Sequence, residues 1–422
     1  MDDMATISEN LQIIKNSTLA IKQAIIDKGG IINGDITTWA NSVANIPSGG
    51  SGGSSSGKGD VTFYDYDGTA LHSFSKDEFL ALTEMPPLPR QQGLICQEWN
   101  WSYEDAIEYV TEYGVLDVGA TYITDDGKTR LYIRIAAEGR MDVPLYFQQT
   151  VANGVTIDWG DGSDTETLSG TGKVNTTHRY ASIGDYMISL DVAEGCTLNF
   201  GHQSSSSTIV GSTDNNNLVY SNRLYKVEIG SGVARIENHA FYKNQNLRHI
   251  TIPNNIKDIG NYIFQQCVSL EFVAYPKNVK TNFLGTNSGC TNLHNISFSK
   301  NIVMARYTVQ NCYLLNSVVL PPSTSILDID TISTCYSLSS IVIPRSITTV
   351  SALSLRNCYG LAYYDFSHHT AVPTLANTNA FTGIPDDCKI IVPDALYDEW
   401  VAATNWSTYA SYIIKKSDWD NL

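Results

Sequence analysis

Between Leu224 and Pro393 the apolar positions recur in one frame at an almost constant interval. Cys267, Cys290, Cys312, Cys335 and Cys358 follow one another at gaps of 23, 22, 23 and 23 residues, and a leucine stands three places after each (Leu270, Leu293, Leu315, Leu338, Leu361). Six and eight places after the cysteine come two more large apolar side chains, as at Ile341 and Ile343, and proline often closes the run (Pro276, Pro321, Pro344). Asn244 holds the cysteine's place one frame upstream, followed by Leu247, Ile250, Ile252 and Pro253, and Leu224, Val227 and Ile229 begin the frame before that. Downstream, Phe381, Ile390, Val392 and Pro393 continue it after a longer gap. A leucine entering a core and then an alternation of period two predict a short strand in each frame; a frame in the low twenties predicts a solenoid of thin stacked turns. Stacking sets equivalent side chains in ladders about 4.8 Å apart, the spacing of adjacent strands. The five cysteines therefore read as a buried file of small hydrophobes with free thiols rather than as disulfide partners.

The second apolar pair in a frame (Ile256, Ile259) and the large residue three places before the cysteine (Phe241, Phe264, Ile332, Leu355) complete a pattern that resembles the BspA-like, Treponema pallidum type of leucine-rich repeat. The turns around Asn287 and Ser323 depart from it and are expected to bulge. A solenoid needs its ends covered. A helix opened by Asp394 and running through Ala403, with Trp400 and Trp406, is expected to close the C-terminal end, and the polar stretch 201–217 to form a loop or irregular first cap.

Upstream the pattern changes several times. Ile7, Leu11, Ile14, Thr18, Ile21 and Ile25 are spaced 4, 3, 4, 3 and 4 residues apart, a heptad seam that leans toward a trimeric coiled coil. The alternative is a single amphipathic helix packed on its own domain. Gly29-Gly30 stops it and Asp35 caps a shorter helix; this segment resembles the N-terminal portions of tail-associated proteins of gut bacteriophages. Residues 1–46 thus read as a helical anchor and 47–59 as a Gly/Ser linker. Residues 60–130 read as a small α+β domain, with a turn at Asp67-Gly68, helices capped at Ser75 and Ser102, and a strand Thr129 to Ile135 completing it. Asp65-Tyr66-Asp67-Gly68-Thr69 resembles the nucleophile loop of haloacid-dehalogenase phosphatases, but too little chain follows for that fold, and a tight turn is the reading kept.

Residues 131–200 read as a β-sandwich. Val155 to Ser163, His178-Arg179-Tyr180 and Gly184 to Leu190 resemble PKD-type immunoglobulin-like domains, which implies a spacer or binding module without chemistry of its own. Asp158, Asp161 and Asp164 either shape the turn, which is favoured, or hold calcium. The solenoid then occupies 201–393 and its cap 394–422, so the fold expected is multidomain: helical segment, α+β domain, PKD-like sandwich, leucine-rich-repeat β-solenoid and C-terminal cap.

A net charge of -16 with only 17% charged residues argues against nucleic acid as a partner. No run approaches the roughly 20 apolar residues of a membrane span, and the start at Met1-Asp2-Asp3 lacks the basic opening of a secretory signal. No Cys-x-x-Cys pair suggests zinc, and His368-His369 lacks partners at ligand spacing, so neither metal nor cofactor is nominated. A carbohydrate-active enzyme would need paired carboxylates in a cleft, and no catalytic residues are assigned.

The clearest candidate site is a row. Tyr313, Tyr336 and Tyr359 each follow a repeat cysteine, and equal phase predicts a surface aromatic ladder that either binds a partner or lids the cysteines. On the strands the outward row is expected to run through His249, Phe272, Asn295, Ser317, Ser340 and Tyr363, with Thr251, Ala274, Ser297, Val319, Val342 and Asp365, too neutral for a charged ligand. The function expected is a non-enzymatic bacteriophage virion protein, a fibre or adhesin held to other virion proteins by its N-terminus and binding host-surface protein or glycan through the solenoid. The alternative is a bacterial cell-surface adhesin of the same repeat family.

Overall fold

The chain divides into two compact units, residues 1–57 and 58–422. The computed structural model describes residues 59–201, 208–211, 222–279 and 282–422, all in the second unit. The heptad of residues 7–25, the helix after Asp35, the linker up to residue 58 and most of the stretch 201–217 lie outside the described residues.

The α+β domain is built from β1 (Val61–Tyr64), β2 (Ala70–Phe74), α1 (Lys76–Leu80), β3 (Leu94–Trp99), α2 (Tyr103–Tyr113) and β4 (Leu116–Thr124), with strand order β2-β1-β4-β3. Ser75 and Glu78 form a reciprocal capping box on α1, Ser102 caps α2, and Gly114 ends α2 in the left-handed region. β1 and β4 run parallel, which is why a helix-bearing connection separates them. Leu116, Val118, Ala120 and Tyr122 pack beneath the helices with Phe63, Phe79 and Trp99. Asp117 and Gly119, on the other parity of β4, face away from that core.

The strand expected to complete this domain belongs to the next one. β5 (Thr129–Ile135) pairs with the far larger surface of β10 (Gly184–Val192), because its alternate residues Leu131, Ile133 and Ile135 match the sandwich core. Two sheets make that sandwich, with β6 (Asp142–Gln149), β7 (Val155–Asp158), β8 (Glu166–Thr167), β9 (Gly172–Arg179) and β11 (Leu198–Phe200) filling the rest.

Both sheets continue into the solenoid. β12 (Leu224–Glu228) lies antiparallel to β5, and β13 (Val233–Ile236) lies parallel to β11. The first turn therefore has each of its strand edges paired by the sandwich. The PKD resemblance implies a spacer or binding module; in the structure the sandwich also caps the N-terminal end of the solenoid, and one apolar core runs through both. From β14 (His249–Thr251) and β15 (Asp258–Ile259) onward the turns repeat a parallel arrangement of a strand and a shorter second strand, except that the first strand lapses at Ser317 to Val319. At the far end Ile413–Lys415 adds a last strand, while Trp400 and Trp406 are buried against Phe366 and Phe381 as expected of a cap.

The third side of each turn has no sheet and is held by special backbone geometry. His239, Tyr262, Gly285, Tyr307, Asp330 and Leu353 form one row with φ between 54° and 61°; Lys243, Gln266, Gly289, Asn311, Thr334, Asn357 and Gly383 form a second row with φ between 57° and 78°. In the second row each amide from Lys243 to Asn357 donates to a carbonyl of the following turn, from Lys243 to Gln265 through to Asn357 to Thr382. The left-handed bend aims that N–H along the solenoid axis, where an ordinary helical residue would aim it back into its own turn. Most occupants are not glycine, at a cost of about 1–2 kcal/mol each, so the pairing between turns outweighs the strain.

The cysteines explain themselves at the same place. Cys267, Cys290 and Cys335 donate their thiols to the carbonyls of Phe241, Phe264 and Val309 in the preceding turn, at 3.0, 3.1 and 3.1 Å. Cysteine is small enough to fit and its thiol adds a second donor to carbonyls such as those of Phe241 and Phe264, which also accept an amide of their own turn. All five ladder thiols are free and buried. Burial pushes Cys312 up to about 12 and Cys267 and Cys290 still higher, so these sulfurs stay protonated and inert. The native chain is expected to leave all five unlabelled by a maleimide and to expose them together on unfolding in guanidinium. In the second left-handed row, Thr334 is β-branched where its equivalents are Asn311 and Asn357. Thr334→Asn is expected to raise stability by roughly 0.5–1 kcal/mol, read as a higher thermal midpoint.

Candidate functional site

Which solenoid surface is free to bind anything is decided by the α+β domain. Its sheet lies on the strand face of the turns from Phe272 to Val342, so the row expected to point outward into solvent is largely covered. Phe272 and Ser297 are fully buried, and Val319 joins the α+β domain's own apolar core. Gly119 sits so close to the solenoid that a Cβ there would lie 2.4 Å from Ala274 Cβ and 3.2 Å from Ser297 Cβ. Small residues on both partners are what allow this approach. The row's neutral character reflects a buried interface between two parts of one chain.

Polar groups finish the contact. Asn100 is completely buried; its amide nitrogen donates to the carbonyls of Tyr275 and Ser297 at 3.0 and 3.1 Å, and its oxygen accepts from Gly119 N–H at 2.9 Å. Trp101 and Tyr109 donate to the carbonyls of Phe298 and Leu320, and Ser317 donates to Asp117. Ser317 to Val319 are not in a ladder, so these side chains supply partners where strand pairing lapses. Lys277 with Glu98, Lys300 with Asp105, and Arg345 with Glu112 fringe the seam. A cleft of about 410 Å³ opens beside it between α2 and the solenoid edge, floored by Trp101, Tyr109 and Tyr113. Its carboxylates are engaged by Lys300 and Arg345, which makes it the margin of the docking seam.

The tyrosine row occupies a different flank, and the structure brings its three members together. Tyr313 and Tyr336 stack with centroids 5.0 Å apart and planes 6° from parallel; Tyr336 and Tyr359 stack at 5.6 Å and 17°. Tyr336 is 43% exposed and Tyr359 58%. Each ring grows from the residue after a buried cysteine, so the thiol file fixes their spacing. Two places before each tyrosine stand Asn311, Thr334 and Asn357, and one place after stand Leu314, Ser337 and Gly360, all uncharged. Burial raises the phenols of Tyr313 and Tyr336, so the hydroxyls are neutral donors and acceptors.

The other sequence candidates are engaged in structure. Asp65 is buried and accepts from Gln91 and Tyr122, which ties the β1–β2 turn to β4. Asp158 accepts from Gly160 N–H, and Asp161 accepts from Ser163 and pairs with His178 at 2.7 Å. Burial opposes ionisation of Asp161, but the Ser163 and His178 contacts prevail and hold it at about 2. His369 is buried with its ring nitrogens against the carbonyls of Phe366 and Ile347, and His368 packs edge-on against Tyr113. Among the described residues no group of three His, Cys, Asp or Glu side chains is placed to hold a metal ion. Sequence reasoning missed the docking face and Gly383, which lies beside Tyr359. The small residues of β4 and of the strand row were the available signal for the first.

Comparison with known proteins agrees with the repeat geometry. Residues 213–312 and 303–396 match the BspA type leucine rich repeat region, in six copies. Among solved structures, the chain is similar to a leucine-rich repeat protein from Bacteroides ovatus (20% identity, 40% of this chain and 56% of that one, TM-score 0.29). A leucine-rich repeat protein from Eubacterium ventriosum matches at 24% identity, covering 38% of this chain and 42% of that one, with a TM-score of 0.31. The leucine rich repeat protein of Treponema pallidum matches at 19% identity, 41% and 78% coverage, and a TM-score of 0.24. The chain spans about half the length of the first two. No curated protein matches.

Gly119→Val is expected to force the α+β domain off the strand face, seen as lost exchange protection of the Trp101 indole and Gly119-region amides. Adding Ala274→Gly is expected to restore part of that protection, because it removes the closest contact while Ser297 and Phe272, at 3.2 and 3.3 Å from a Cβ there, remain.

Proposed function

We propose that this protein is a binding protein, without catalysis of its own, that attaches to a surface protein or glycan through the solenoid flank bearing Tyr313, Tyr336 and Tyr359. The observation that carries this reading is the column itself: three near-parallel rings on a rigid scaffold, Tyr336 and Tyr359 exposed and Tyr313 half-buried, amid uncharged Asn, Ser, Thr and Gly positions. Rigid tyrosines supply contact area at low entropic cost and small polar neighbours supply hydrogen bonds, the chemistry favoured in evolved recognition surfaces. The repeat family supports a surface adhesin role.

In this reading the Gly/Ser linker separates an N-terminal attachment segment from a rigid recognition head, and the sandwich, PKD-like in its Asp158 to Ser163 wording, serves the head as its cap. Two settings share that layout. The heptad at residues 7–25 favours a virion fibre, trimeric and joined to other virion proteins; a bacterial cell-surface adhesin is the alternative. Proteomics of purified particles against cell envelopes separates them.

Replacing Tyr313, Tyr336 and Tyr359 together by Ala is expected to lower attachment of the labelled chain to target cells by at least about tenfold, with circular dichroism unchanged. Undiminished attachment by a folded triple variant would remove the tyrosine flank from the proposal.

A further inference from the structure

A stacked column hides most of the surface for which aromatic rings are valued. The faces of Tyr336 are both occupied by its neighbours, and what it shows to solvent is its edge and hydroxyl. Tyr359 has a ring on one side only. Its exposure of 58%, against 43% for the sandwiched Tyr336, reflects the missing fourth ring.

The next turn explains why the column stops. There the left-handed position falls at Gly383, 26 residues after Asn357 where earlier steps were 22 or 23, and the residue two places on is Pro385 rather than a fourth tyrosine. Gly383 has φ +78°, and a Cβ on it would lie 3.0 Å from Tyr359 Cε1 and 2.7 Å from Asn357 Oδ1. The Gly383 backbone therefore lies against the Cε1 corner of the last ring, and no side chain from that position covers the rest of it. Asn357, Thr382, Asp386 and Asp387 belong to the two turns that frame it, and Thr382 and both aspartates are exposed.

The geometry points to a subsite at the end of the column, in which the apolar C–H face of a neutral pyranose ring stacks on the open face of Tyr359 and so takes the place of the missing rung. This rests on the binding role proposed above and names its ligand class. The ring face is the negative end of the aromatic quadrupole and favours the weakly positive C–H hydrogens of a sugar. The Asn357 amide, whose oxygen lies against Gly383 beside the ring, can hydrogen-bond a sugar hydroxyl. The paired aspartates and a net charge of -16 disfavour sialylated or uronate-bearing sugars. The column behind Tyr359 holds the ring in place, so little freedom is lost on binding.

The test uses the full chain on immobilised oligosaccharides ending in neutral hexoses or N-acetylhexosamines, beside sialylated and uronate-containing ones. Wild type is expected to bind a neutral set, Tyr359→Ala to lose at least about fivefold, Tyr359→Phe to stay within about twofold because the face remains, and Tyr313→Ala to lose less than Tyr359→Ala. Saturation-transfer NMR is expected to place the C–H face of the terminal sugar against the ring. Binding confined to acidic glycans, or no binding to any, overturns the inference. So does loss in Tyr313→Ala equal to that in Tyr359→Ala, which would mean the ligand lies along the ring edges. Cell attachment lost in the triple variant but intact in Tyr359→Ala would refute this subsite while leaving the tyrosine flank as the binding surface.

Discussion

Hydrogen bonding from one turn to the next is the constraint on which this molecule depends. A thin turn has no core of its own, and every amide or carbonyl it points along the axis must find a partner in the neighbouring turn. Three devices meet that demand on three sides: parallel strand pairs on two, and the left-handed rows with the cysteine thiols on the third. The same demand recurs at both ends, where no neighbouring turn exists. The sandwich answers it at one end by lending β5 and β11, and the terminal strand with its tryptophans answers it at the other.

Much of this could be read from residue spacing. The strand at Ile341 and Ile343, the buried cysteine file and the stacked tyrosines all follow from one period, because a fixed number of residues per turn converts position in the frame into position in space. The left-handed rows could not be read in the same way. Glycine marks them only at Gly285, Gly289 and Gly383, while Tyr262, Thr334 and Leu353 carry no local sign of the bend they adopt. Their geometry is imposed by pairing with the next turn, which is a property of the stack and not of the segment.

The relations between domains were the least legible. A sequence read from left to right suggests beads on a string, and the strand at Thr129–Ile135 was assigned to the bead before it. Long-range pairing decides otherwise: β5 matches β10 and β12 through Leu131 and Ile133, over sequence separations too large for local pattern to reveal. The docking of Gly119 on Ala274 has the same character. Each is an ordinary small residue alone, and only their apposition gives them meaning.

That apposition also sets the path of mechanical load. The described chain begins at Gly59, inside a domain clamped to the middle of the repeat stack, and the tyrosine flank lies on the same stretch of turns. Tension applied through the preceding segment would cross the seam at Asn100, Trp101 and Ser297 and reach the rings sideways. Load entering at Gly59 would thus meet the stack across its turns.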